Sequence, residues 1–206
     1  MSVRRALLLV AAATALTAVL GGLARLGLMV AWGPRHAMAH GPLFVLGVFG
    51  TVISLERAVA LGARWSLVAP GAAAAAAIAM LGASPWAPWA AVLSALALAT
   101  VNAAIVRRQS APFTWVVLLG SLIAWLIAGG ALLARDGITV AGPAHDAALH
   151  AVFVGHVLSM VFAHAPIILP AVARVRVPFS AWLYLLLGLL HVGPGGPRAS
   201  RRICAR

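Results

Sequence analysis

HAVFVGHVLSMVFAHAPIILP, residues 150–170, is apolar over a membrane-spanning length yet carries three histidines, His150, His156 and His164. An α-helix of about 20 apolar residues crosses ~30 Å of hydrocarbon. A histidine in such a helix has no packing advantage over leucine, so its presence asks for a reason. Runs of the same kind recur along the 206-residue chain, which is 64% hydrophobic and 9% charged, with a mean hydropathy of +1.06. Soluble domains carry roughly 25% charged residues. The sequence therefore predicts an all-α fold, a polytopic membrane helix bundle of six to seven transmembrane helices over 1–193. A basic tail at 194–206 follows, read as disordered or as the truncated or frame-shifted end of something longer.

The formal net charge of +12 would suggest nucleic acid in a soluble protein. Here all fifteen basic residues are arginine, none is lysine, and most fall in short loops between apolar runs. That placement orients helices in a lipid bilayer; no nucleic-acid partner is expected. The single cysteine, Cys204, excludes an internal disulfide and any multi-cysteine zinc or iron–sulfur site. The seven histidines are the only metal-ligand type present in number.

Spans are expected near 6–31, 40–61, 66–84, 87–106, 113–134 and 149–172, with a shorter one at 178–193. Gly33-Pro34, Gly62, Ser84-Pro85, Ala111-Pro112, Gly142-Pro143 and Pro178 punctuate them. Trp32, Trp65, Trp86, Trp89, Trp115 and Trp182 stand near span ends, as an interfacial belt would place them. The first run resumes after Arg25 through Trp32, too long for the apolar part of a cleaved signal, so it is read as a retained span. With a cytoplasmic N-terminus, Arg4, Arg5, Arg64, Arg107, Arg108, Arg174 and Arg176 lie inside and only Arg35 and Arg135 outside. This follows the positive-inside rule and predicts a bacterial cytoplasmic (inner) membrane protein. The four arginines of the tail would break the pattern if 178–193 crosses.

At about 100° and 1.5 Å per residue, His150 and His164 lie some 40° from one face but about 21 Å apart along the axis. His156 lies about 120° from His150. The three cannot ligate one metal, so each needs a partner from another helix. In this orientation the second span, beginning HGPLFVLGVFG at His40, also runs from outside to inside. His40 then shares the depth of His150, and Glu56 that of His164. The outer pair suits axial ligation of a haem iron, or copper if His36, four residues before His40, joins. Arg25 could pair with a haem propionate. Against this, either outer histidine alone could simply be an interfacial residue. His156 is read either as a second metal ligand or as a packing histidine bonded to Ser, Thr or Asn102. Glu56 and His164 could share a proton in a relay, or Glu56 could snorkel to the inner surface with Arg57. No phosphate-binding loop and no nucleophile motif is present, so the catalytic residues are unknown.

Two stretches carry a resemblance. MAHGPLFVLGVFG resembles the His-Gly start of the second helix in subunit I of haem–copper oxidases and nitric-oxide reductases. It resembles more closely the H-x-x-x-F-G-F segment of NnrS-type proteins, haem- and copper-containing membrane proteins linked to nitric-oxide stress. HAVFVGHVLSMV is similar to their later H-A-x-x-x-G-x-x-x-x-M helix through His150, Ala151, Gly155 and Met160. The two stretches cover about 35 residues. NnrS-type proteins have about twelve spans, and the paired histidines of the oxidase copper site are absent here. The resemblance implies His40 and His150 as haem or metal ligands, with His36 beside them. It implies haem b, with copper as a further cofactor, in electron transfer, nitric-oxide handling or cofactor delivery, alongside a redox partner or larger membrane complex. Two other classes compete with it. One is a small proton- or ion-coupled transporter or channel lined by Glu56, His156 and His164, and the other an accessory subunit whose histidines bond helices together.

Overall fold

The computed structural model describes residues 2–133, 149–162 and positions 174, 182, 185, 188 and 189. His164, His191, the proposed span 178–193 and the tail 194–206 lie outside the described residues. Everything described is helix or connection. The helices are α1 (Val3–Arg25), a short α2 (Gly33–His36), α3 (His40–Leu61), α4 (Arg64–Leu81), α5 (Ala87–Arg108), α6 (Pro112–Leu133) and α7 (149–162). Among the described residues α1, α3, α4 and α5 are long and apolar enough to cross a membrane, and Pro112–Leu122 and Val152–Phe162 are shorter apolar stretches. The protein is thus an all-helical membrane bundle.

Helix ends follow local chemistry. Ser2 caps α1, its hydroxyl accepting from Arg5 N–H. α3 ends at Gly62, whose φ of 70° is the left-handed conformation that closes a helix when glycine follows it. α5 starts with a proline in its first turn and finishes on Arg107 and Arg108, cations that suit the negative end of the helix dipole. The first span departs from expectation. α1 stops at Arg25, Gly27 has φ 84° and Trp32 φ 62°, so the apolar run 26–32 is a connection. Hydropathy alone counts those residues as span; two left-handed backbone positions end the helix.

Small residues bring α1, α3 and α4 together. A Cβ on Gly47 would stand 2.8 Å from Thr14 Cγ2 and 3.2 Å from Ala77 Cβ, so only glycine permits this approach. Leu43, Leu46, Leu98 and Val101 are buried in one cluster with Ala69, Ala76 and Met80. The outward faces stay apolar: Leu8, Leu9, Leu16, Val52, Val59, Ile78, Leu93, Leu96 and Leu119 are all exposed, as a lipid-facing surface requires.

Two helices leave regular α geometry. Leu43–Phe49 of α3 and Ala151–Val157 of α7 are π-helical. Such segments are rare and occur frequently at functional sites.

Candidate functional site

His40 is the first residue of α3 and His150 lies at the start of α7, each just ahead of its helix's π-helical segment. The two helix starts meet. A Cβ on Gly41 would lie 2.8 Å from Leu149 Cδ1, and deeper in the bundle the Phe49 and Phe153 rings stand 5.8 Å apart. α1 closes the third side, its Gly21 and Gly22 lying against His40. An added Cβ would come within 3.2 Å of His40 Cβ from Gly21 and 3.7 Å of Cδ2 from Gly22. His40 is half-buried in this corner and His150 is exposed.

The His40 ring is held in place. Its Nδ1 is 2.8 Å from the carbonyl oxygen of Ala37. A carbonyl only accepts, so Nδ1 is the protonated nitrogen and Nε2 of the neutral ring keeps its lone pair. This is how ligating histidines are ordinarily prepared, with the other ring N–H donated to a carbonyl that fixes tautomer and orientation.

The remaining candidates fall in different places. His36 is half-buried at the end of α2. The helix does not run on from His36 to His40: residues 37–39 form a turn, with Ala39 N–H donating to His36 O at 3.0 Å. The i,i+4 face that would have paired the two histidines is therefore not formed. Arg25 ends α1 one helical turn past Gly21 and is exposed. His156 is fully buried, six residues along α7 from His150. The 120° offset expected between them assumed α geometry, which the π-helical segment replaces. Among the described residues no three His, Cys, Asp or Glu side chains come together as a metal site.

Glu56 lies on α3, far from the His40 end, with both carboxylate oxygens on the Arg57 guanidinium at 2.8 and 2.6 Å. Its proposed relay partner, His164, is outside the described residues. The Arg57 side chain is 6% exposed and that of Glu56 47%, so the arginine turns inward.

One signal in the sequence adds to these residues. Gly33-Pro34-Arg35-His36 precedes His40, and Gly142-Pro143-Ala144-His145 precedes His150. Arg25 and Arg135 stand at equal distances before the two histidines (25 to 40, 135 to 150), and Arg64 and Arg174 at equal distances after them (40 to 64, 150 to 174). The α1–α3 and α6–α7 pairs thus carry one pattern twice, and each copy has a π-helical segment just after its histidine. Comparing the chain with itself at the offset that carries His40 onto His150 exposes this. His145 and Arg135 are the residues that reading helices one at a time passes over.

No curated protein and no solved structure matches the chain. A family model, described as a domain of unknown function (DUF8744), matches residues 4–124 and 123–194. The two matches run over nearly the whole length, and the chain belongs to the DUF8744 family.

Proposed function

We propose that this protein binds a haem, which His40 of α3 and His150 of α7 would hold, and serves redox or nitrogen-oxide metabolism in the bacterial cytoplasmic membrane. The observation that carries this reading is His40 itself. Its Nδ1–H is committed to the Ala37 carbonyl, which leaves the Nε2 lone pair to bind a metal, on a helix start that meets the one bearing His150. Two imidazoles suffice for a haem, whereas copper bound by histidine needs a third ligand. The haem-b form of the reading therefore asks for the fewest residues.

When bound, a haem supplies a one-electron iron couple whose potential follows from its axial ligands and surroundings. The chain's own residues do the rest. Gly21 and Gly22 let α1 approach His40. The Ala37 carbonyl fixes the tautomer and orientation of the imidazole. Arg25, exposed at the end of α1, offers a guanidinium to a propionate. Phe49 and Phe153 supply apolar packing deeper along the α3–α7 contact.

In this reading α6 and α7 also cross, giving six spans, and residues 178–193 form a seventh crossing or an interfacial helix. Arg4, Arg5, Arg64, Arg107 and Arg108 support a cytoplasmic N-terminus; with that orientation His40 and His150 would lie on the outer side. A redox partner or a larger membrane complex would exchange electrons from that side.

The test is a reduced-minus-oxidised visible spectrum of the detergent-purified protein, with metal analysis of the same sample. A Soret band with sharp α and β bands, lost in His40→Ala and in His150→Ala, is the expected result. A colourless, metal-free protein that takes up no haem on reconstitution overturns the reading. Proton-coupled flux that disappears in Glu56→Gln would then favour transport.

A further inference from the structure

Five arginines, Arg4, Arg5, Arg64, Arg107 and Arg108, stand exposed at one end of the bundle. Contacts between helices define that end. The end of α5 meets the end of α3, where Arg108 donates to Leu61 O. The starts of α1 and α4 join them, because Leu7 of α1 and Leu67 of α4 pack in one cluster with Leu55 of α3. The charge there is unbalanced. Glu56 is the only carboxylate in residues 1–135, and Arg57 holds both its oxygens.

Two of the five converge. Arg4 lies three residues before Leu7, on the same face of α1 and about 4.5 Å further out along its axis. Arg64 opens α4 in the 3-10 turn Arg64–Leu67. Residues three apart eclipse one another in such a turn, so Arg64 stands over Leu67 and about 6 Å further out. Leu7 and Leu67 share one apolar cluster, and the two arginines therefore flank it at nearly the same level, one from each helix. Both sit in the first turn of their helix, where the Cα–Cβ bond tilts toward the N-terminus and away from the apolar interior. Neither side chain has a partner among the described residues. Arg108 adds a guanidinium beside them, since only Gly62 and Ala63 separate its acceptor, Leu61, from Arg64.

The surroundings select the counter-ion. A guanidinium is a planar fork of donors that matches phosphate oxygens. Leu8 and Val68, each one turn in from its arginine, are exposed on the lipid-facing sides of α1 and α4, and Trp65 is exposed next to Arg64. A soluble phosphate would leave these apolar side chains unused. A phospholipid meets both surfaces, with its phosphate on the arginines and an acyl chain over Leu8 and Val68. A zwitterionic headgroup carries its own cation, whereas an anionic one brings the net negative charge that this end lacks.

We propose that Arg4 and Arg64, with Arg108 beside them, bind the phosphate of an anionic phospholipid at the corner between α1 and α4. The lipid links the start of α1 to the α3–α4 connection, independently of any cofactor.

Native mass spectrometry of the detergent-purified full chain, titrated with dioleoylphosphatidylglycerol or dioleoylphosphatidylcholine, tests this. The anionic lipid should bind more tightly than the zwitterionic one. Arg4→Gln and Arg64→Gln should each weaken it about fivefold, the contribution of one arginine near an anionic lipid. Both side chains are exposed, so glutamine leaves the packing beneath them intact. Arg107→Gln removes the same charge from the same end outside the site and should change the affinity little. Equal binding of the two lipids overturns the proposal. So does a loss in Arg107→Gln as large as that in Arg64→Gln, which would assign the preference to general surface charge. Glycerophosphoglycerol, the same headgroup without acyl chains, should not displace the lipid at equal concentration. Displacement would make the ligand a free phosphate ester and overturn the assignment to lipid.

Discussion

The Arg57 guanidinium closes on the carboxylate of its own chain neighbour, Nε to Glu56 Oε2 at 2.8 Å and a terminal nitrogen to Oε1 at 2.6 Å. Adjacent helical residues ordinarily diverge by about 100°, and here only the length of both side chains lets them meet. One of the two readings of Glu56 has it reach the inner surface together with Arg57. The arginine is buried and the glutamate stands outside it as its counter-ion.

That asymmetry makes the glutamate the partner whose loss is felt more sharply. Glu56→Gln removes the charge that compensates a buried guanidinium and should destabilise the bundle by roughly 1.5–3 kcal/mol. Glu56→Gln combined with Arg57→Leu should recover part of the loss, because no buried charge is then left alone. Thermal unfolding in one detergent compares the three proteins. A double variant less stable than Glu56→Gln would show that Arg57 contributes mainly through its other contacts.

Two glycines near the candidate site should respond oppositely to the same methyl group. A Cβ on Gly21 would stand 2.5 Å from the backbone oxygen of His36, an atom that moves only with its chain segment. Gly21→Ala should therefore cost about 1–3 kcal/mol, as overpacking does, and displace the segment that carries His36 and His40. A Cβ on Gly41 meets only the Leu149 side-chain tip, which can rotate away. Gly41→Ala should be nearly neutral. Melting temperatures of the two variants, measured together, decide whether backbone or side chain limits the approach.

Hydropathy and proline–glycine punctuation located α3 at its observed limits and α5 within two residues, because lipid demands long apolar helices and loops demand breakers. The depth match between His40 and His150 also follows from counting residues, and Gly41 against Leu149 reflects it. The end of α1 did not follow from hydropathy. Leu26–Trp32 is as apolar as a span, and only backbone angles at Gly27 and Trp32 remove it. Neither π-helical segment has a hydropathy signature, since widening one turn changes no residue type. The inward turn of Arg57 was equally illegible, because a periodic pattern locates a Cβ and not the far end of a long arginine side chain.

At the opposite end of the bundle, Arg108 reaches from α5 to the Leu61 carbonyl, an acceptor left open where α3 ends. Arg108→Ala should lower stability by about 0.3–1 kcal/mol, and the effect should shrink as salt is raised because the side chain is exposed. Unfolding at low and high ionic strength measures it. A salt-independent loss would show that the arginine acts through packing of its stem and not through its charge.

The π-helical segment of α3 separates His40 from the regular helix Gly50–Leu61. A π-helical turn holds one residue more than an α-turn, so removing Val48 should return the segment to α geometry and leave the direction of the His40 end nearly unchanged relative to the rest of α3. His40 should then stay in the corner beside Gly21 and Gly22. The deletion should keep haem uptake, helicity and membrane insertion. A cofactor-independent readout comes from Gly41→Cys with Leu149→Cys in a background lacking Cys204. Oxidation should cross-link the two positions in the full-length chain and in the Val48 deletion alike. Loss of the cross-link in the deletion would mean that the widened turn itself sets the position of His40.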